Sequence, residues 1–150
     1  MRTKMTLAAA IALLAAASLS AHVMVSPTLS KAGATQKYEV RVHNELKVAA
    51  TSVEVEIPEG VMVTDVAKPA AGSATPKKTG DRITSITWQV EVPPNKYLAL
   101  VFTAKNPDAA KDLHWTVHEH LADGTVVDWS DKPGSKEKGS VTKLANPATK

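Results

Sequence analysis

The sequence predicts an all-β sandwich, and three features of its 150 residues carry that expectation. Apolar and polar residues alternate with a period of two through most of the chain. Clusters of Pro, Gly, Asn and Asp interrupt the alternation at short intervals, and no stretch beyond residue 21 has a helical period of useful length. Eight or nine short strands result, the pattern of an immunoglobulin-like sandwich.

Residues 1–21 stand apart and read as a secretory signal. Arg2 and Lys4 give a positive start, Leu7 to Ala17 is an unbroken apolar run, and Ser18-Leu19-Ser20-Ala21 supplies mostly small residues for a signal peptidase. The apolar run falls short of the roughly 20 residues of a membrane span, so no membrane insertion of the mature chain is expected. Cleavage after Ala21 releases a chain beginning at His22. Cleavage after Ser20 fits the small-x-small pattern better and leaves Ala21 in front; the signal alone does not choose.

The remainder, 22–150, has the length of one domain. Residues 1–21 hold two cations and no acid, so a net charge of +3 falls to +1 once they are gone. Lysines scattered among acids at that charge exclude a nucleic-acid partner. The chain has no cysteine, which removes disulfides, a thiolate metal site, a thiol nucleophile and a lipidated cysteine.

The strands follow in order. His22 to Ser26 is a β-prone run stopped by Pro27. Lys37 to Asn44 alternates cleanly, with Tyr38, Val40 and Val42 on one face and Lys37, Glu39, Arg41 and His43 on the other. Thr51 to Ile57 repeats this with Val53, Val55 and Ile57; Pro58-Glu59-Gly60 turns, and Val61 to Val66 continues as strand. Lys68 to Asp81, rich in Pro, Ala, Gly, Ser and Lys, reads as a long surface loop. Ile86, Trp88, Val90 and Val92 mark the next strand, and Pro93-Pro94-Asn95 turns it into Tyr97 to Ala104. Asn106-Pro107-Asp108 breaks that strand, and Ala109-Ala110-Lys111 fits one helical turn. Leu113 to Leu121 and Thr125 to Ser130 flank Asp123-Gly124, a two-residue hairpin signal. Ser140 to Leu144 makes a last strand.

Three histidines, His114, His118 and His120, share one face of the Leu113–Leu121 strand, opposite Leu113, Trp115, Val117, Glu119 and Leu121. A two-residue turn at Asp123-Gly124 places His118 across from Trp129, His120 across from Val127, and Glu119 across from Asp128. That register predicts an outward-facing tryptophan, unusual unless something covers it. The plain alternative is a solvated face, the reading also given to His43.

His22 lies at or next to the mature N-terminus. A free α-amine and the Nδ1 of the same residue form a compact two-nitrogen chelate, and an amine with a pKa of about 7.7–8.0 deprotonates readily under a metal. Cu(II) prefers nitrogen in tetragonal geometry and outcompetes other divalent first-row ions. Met24, on the same strand face, offers a thioether suited to Cu(I), although a lone methionine is more often core filler.

Ordered segments along the mature chain resemble the YcnI-like copper-binding family. They are His22-Val-Met24-Val-Ser26-Pro27, Ala32-Gly33, Val40-Arg41-Val42 with Asn44-Glu45, and Ile57-Pro58-Glu59-Gly60-Val61. Ala104-Lys105-Asn106-Pro107-Asp108 and Ala122-Asp123-Gly124-Thr125-Val126-Val127-Asp128-Trp129 complete the set. The resemblance implies an exported immunoglobulin-like domain that binds Cu(II) by a single-histidine brace on the mature N-terminal histidine. It further implies a carboxylate ligand and a tryptophan beside the metal, in the strand after the Asp-Gly hairpin. His22 matches the brace, which selects cleavage after Ala21, and Trp129 matches the tryptophan. The family's glutamate aligns near Ala99, where Tyr97 to Val101 holds no acid. The family usually lacks the imidazoles of His118 and His120, and often has proline at His43. A rebuilt site is therefore expected, with His118 as the added ligand and His120 behind it.

The leading expectation is a periplasmic copper-binding protein, not an enzyme, that stores, buffers or delivers copper. Its partner would be another periplasmic copper protein or a membrane copper transporter. One alternative is a histidine-brace copper monooxygenase, disfavoured by the small size and by only six aromatic residues. Another is a metal-free immunoglobulin-like interaction module. No zinc-protease helix motif, Gly-rich phosphate loop or Gly-x-Ser-x-Gly elbow is present.

Overall fold

The computed structural model describes residues 22–147; the expected signal segment lies outside them. Within that range the chain forms β1 (His22–Ser26), β2 (Leu29–Lys31), β3 (Thr35–Asn44), β4 (Ala50–Glu56), β5 (Met62–Val66) and β6 (Ser73–Thr79). These are followed by β7 (Arg82–Val92), β8 (Lys96–Lys105), β9 (Asp112–Leu121), β10 (Val126–Trp129) and β11 (Ser140–Ala145). One sheet has the order β1-β3-β8-β5. The other runs β2-β11-β9-β4-β7-β6, with β10 paired to β9 beside this path. The immunoglobulin-like sandwich is the observed architecture, with eleven strands among the described residues in place of eight or nine.

Two of the differences have clear causes. The segment expected as a loop holds β6, which pairs with β7 from Ser73↔Gln89 to Thr79↔Arg82. It is an edge strand carrying Pro76, Lys77 and Lys78, the residues that keep an exposed edge from recruiting another chain, so its composition resembles a loop. The helical turn expected at 109–111 is absent: irregular backbone leads directly into β9.

The core lies between the two inner faces. Val23 and Val25 of β1, Tyr38, Val40 and Val42 of β3, and Leu100 and Phe102 of β8 meet Val53, Val55, Ile86, Trp88, Trp115 and Val117 of the other sheet, all buried. Tyr38, Phe102 and Trp115 form an aromatic nucleus with centroids 5.0–5.8 Å apart, within the range of favourable ring pairs. Burial pushes the Tyr38 phenol up to about 12, so it stays protonated and donates to Asn106 Oδ1. Asn106 Nδ2 in turn donates to Ser30 Oγ and the Lys31 carbonyl, which ties the end of β8 to β2.

Asn44 has the corresponding role at the other end of β3. Its buried amide donates to the carbonyls of Val48 and Val92 at 2.9 Å and accepts from Leu46 N–H. The turn carrying Glu45 is thereby fixed to the end of the strand that carries His43.

Candidate metal centre

β1 is an edge strand of the smaller sheet, and His22 is its first residue. Because Val23 and Val25 point into the core, His22 and Met24 point outward; both are exposed. The antiparallel register places His22 directly opposite His43 of β3, and Met24 opposite Arg41. His43 is exposed for the same reason as His22, since Val40 and Val42 take the inner face of β3. Directly opposed residues on one face have Cβ atoms roughly 4.5–5.5 Å apart. Two imidazoles therefore stand side by side at the beginning of the described chain. The Glu45 carboxylate lies 3.5 Å from His43 Nδ1.

Ala99, where the resemblance led to the expectation of a glutamate, pairs with Arg41. It stands in the next row of the sheet and two strands away from β1. Within this sheet the acid next to the His22–His43 row is Glu45. Alternation along β3 placed His43 outward in the sequence, but pairing of β1 with β3 was the missing fact. Two strands that begin and end with histidine on their polar faces are the signal that would have suggested it.

Trp129 approaches His22 from the other sheet. The hairpin between β9 and β10 has a three-residue loop, Ala122-Asp123-Gly124, closed by Leu121 N–H to the Thr125 carbonyl at 2.8 Å. Gly124 sits at φ 87°, the left-handed residue that a three-residue hairpin requires. The expected two-residue turn is one residue too short, and a slip of one residue moves every side chain of a strand to the opposite face. Trp129 consequently pairs with Val117, Asp128 with His118, Val127 with Glu119, and Val126 with His120.

This register corrects the expected histidine site. Trp129 points inward and is 6% exposed, not outward opposite His118. His118 projects from the outer face of the larger sheet with both ring nitrogens taken. Nδ1 is 2.6 Å from Asp128 Oδ1 and Nε2 is 3.0 Å from Glu56 Oε2, and Lys132 Nζ reaches the same Glu56 oxygen at 3.2 Å. Burial works against the imidazolium, but the bonds and charges of Asp128 and Glu56 outweigh it, so the His118 pKa is raised. His120 is exposed between Ser52 and Val126 on the same outer face, and His114 contacts Asp131 at 3.0 Å. Stacked sheets are about 10 Å apart, so the outer faces that carry His22 and His118 have the core between them. The structure does not bring His118 or His120 to His22.

It does bring Trp129 there. A shallow cleft between β1 and the approach to β11 is lined by His22, Met24, Trp129, Glu137, Ser140 and Val141. Val25 N–H donates to Ser140 Oγ at 2.9 Å across it. Behind Trp129, on the same inner face, Glu119 is fully buried. Neither Glu119 oxygen nor Trp129 Nε1 has a well-formed hydrogen bond. Burial pushes the Glu119 carboxyl up, with the neighbouring Trp129 indole N–H partly offsetting it. The sequence placed Glu119 on the apolar face across from Asp128; the observed register puts Val127 there instead.

A family model described as a domain of unknown function, DUF1775, matches residues 22–150. The chain belongs to the DUF1775 family. The resemblance carried by its motifs holds as well. This DUF1775 chain is 28% identical over 133 residues to "Copper-binding protein CutI" of Bacillus subtilis (strain 168), covering 87% of this chain and 65% of the relative. The chain thus spans less than two thirds of that relative's length. Among solved structures it resembles an uncharacterized Nocardia farcinica protein with an immunoglobulin-like fold, with a TM-score of 0.71 and 20% identity over 83% of this chain and 98% of the other. It also resembles BslA, a bacterial hydrophobin, at TM-score 0.54 and 12% identity over 87% and 97% of the two chains. At these identities the structural neighbours establish the fold alone.

The donors at the DUF1775 cleft suit copper. Imidazole nitrogen favours Cu(II), and the thioether of Met24 favours Cu(I). Among the described residues no group of three or more His, Cys, Asp or Glu side chains has the spacing of a metal site. An α-amine on His22 would add a nitrogen that side chains do not supply.

Proposed function

We propose that the chain is exported to the periplasm, loses residues 1–21 by cleavage after Ala21, and binds one Cu(II) through the α-amine and imidazole of His22. The observation that carries this reading is the position of His22, exposed at the start of β1 and sharing a cleft with Trp129. A chelate built on a chain terminus needs that terminus outside the core, and the outward direction of His22 in β1 supports this. The indole gives the cleft an apolar wall, which limits water on one side of the ion. Met24, on the same face, offers a thioether of the kind that suits Cu(I). The copper-binding relative supports copper as the ligand, and its description as a binding protein supports a handling role without catalysis. Storage, buffering or transfer to another periplasmic copper protein or a membrane transporter fits an ion held at an exposed edge.

The test is Cu(II) affinity of the exported protein, with its first residue fixed by intact mass, against the same chain acetylated on the α-amine of His22. Acetylation converts the amine to an amide and removes one of the two chelating nitrogens. Affinity should fall by roughly 10- to 100-fold, the scale on which metal-site groups act. Equal affinity for the two forms overturns the brace.

A further inference from the structure

We infer that His43 supplies a third nitrogen to the copper bound at His22, so that two imidazoles from paired strands hold one ion. The inference rests on the proposed His22 chelate and adds the side chain that completes it. His43 is the direct cross-strand partner of His22 in the β1–β3 ladder, and both side chains leave the sheet on the same exposed face. With Cβ atoms at the roughly 4.5–5.5 Å separation of an opposed pair, two rings can turn towards one ion without any backbone change.

Glu45 distinguishes the two nitrogens of His43. Its carboxylate is 3.5 Å from His43 Nδ1, and the Asn44 amide fixes the turn from which Glu45 projects. A metal-binding imidazole commonly directs its second nitrogen to a carboxylate, which fixes the tautomer and makes the ligating nitrogen more basic. With Nδ1 facing the Glu45 carboxylate at 3.5 Å, Nε2 is the nitrogen left to ligate. The α-amine, His22 Nδ1 and His43 Nε2 then give three nitrogens around Cu(II), which suits its preference for nitrogen in tetragonal geometry. Bound water would take the fourth position.

The test uses the mature protein beginning at His22, loaded with one equivalent of Cu(II). It compares the unsubstituted chain with His43→Ala, His43→Asn and Glu45→Gln. Pulsed electron paramagnetic resonance counts coupled imidazoles, and competition with a copper chelator gives affinity. His43 is half-exposed, so the substitutions leave the core intact, and unchanged thermal unfolding of the copper-free proteins verifies this. The expected result is two imidazoles in the unsubstituted protein and one in both His43 variants, with affinity lower by roughly 10- to 100-fold. Glu45→Gln should keep two imidazoles while weakening binding less than His43→Ala does.

A single imidazole in the unsubstituted protein overturns the inference, as do two that persist in His43→Ala. Loss of affinity in Glu45→Gln with none in His43→Ala makes the carboxylate the ligand and also overturns it. Failure of the chelate itself is separable. In that case acetylation of the α-amine has no effect on affinity, whatever His43→Ala does.

Discussion

Asp128 of β10 lies directly across from His118 of β9, and its carboxylate holds the imidazole Nδ1 at 2.6 Å. Glu56 of β4 holds Nε2 from the other side, so one imidazolium links three neighbouring strands. The folded pKa of His118 is raised above its ordinary value of 6.5. The stabilisation is therefore fully present below about 6.5 and is lost as pH rises through the raised folded value. In denaturant unfolding, His118→Gln should be less stable than the parent by about 0.5–1 kcal/mol at pH 5.5, the scale of partly exposed ion pairs. The gap should narrow by pH 8.5. A gap that is constant, or that widens with pH, would show that the cluster does not stabilise β10 through the imidazolium.

Glu119 and Trp129 make the opposite case, a buried carboxyl without a satisfactory partner. Its folded pKa is raised, so the folded state keeps its proton to higher pH than the unfolded chain does. The carboxyl is best tolerated below its ordinary value of 4.5 and becomes costly as pH rises through the folded value. Glu119→Leu fills the same space without a group to desolvate. It should stabilise the fold by roughly 1–3 kcal/mol at pH 8 and by less at pH 5. Destabilisation at pH 8 would mean that the carboxylate is satisfied in solution.

Tyr38 ties the aromatic nucleus to the junction of β2 and β8 through Asn106. Tyr38→Phe retains the ring stacking against Phe102 and Trp115 but leaves Asn106 Oδ1 buried without its donor. A loss of about 1–3 kcal/mol is expected in equilibrium unfolding, the cost of an unsatisfied buried acceptor. No measurable loss would indicate that water reaches Asn106.

The fold was legible because strand alternation is local. The inward sets Tyr38-Val40-Val42 and Val53-Val55, and the inward placement of Trp88 and Trp115, follow from a period of two and hold in the structure. The site was less legible because it depends on which strands pair and in what register. One residue in the hairpin loop, from Asp123-Gly124 to Ala122-Asp123-Gly124, exchanged the partners of His118 and turned Trp129 inward. The pairing of β1 with β3, which places His43 beside His22, leaves no trace in either segment alone. Edge strand β6 was hidden for a different reason, since the residues that protect an edge are also those of loops.

The placement of Trp129 in the His22 cleft predicts a specific optical response. The chain has three tryptophans; Trp88 and Trp115 are core residues, and only Trp129 lines the cleft. Cu(II) quenches indole emission by energy and electron transfer that fall steeply with distance. One equivalent bound at His22 should therefore quench mainly Trp129. Trp129→Phe should remove most of the copper-dependent quenching while the emission of Trp88 and Trp115 remains. Because Trp129 is buried against Val117 and Glu119, the phenylalanine variant must first be shown to unfold cooperatively. Single-tryptophan chains carrying only Trp88 or Trp115 give the reverse check, since each should respond weakly. If Trp129→Phe folds and its quenching is undiminished, the ion is bound away from this cleft.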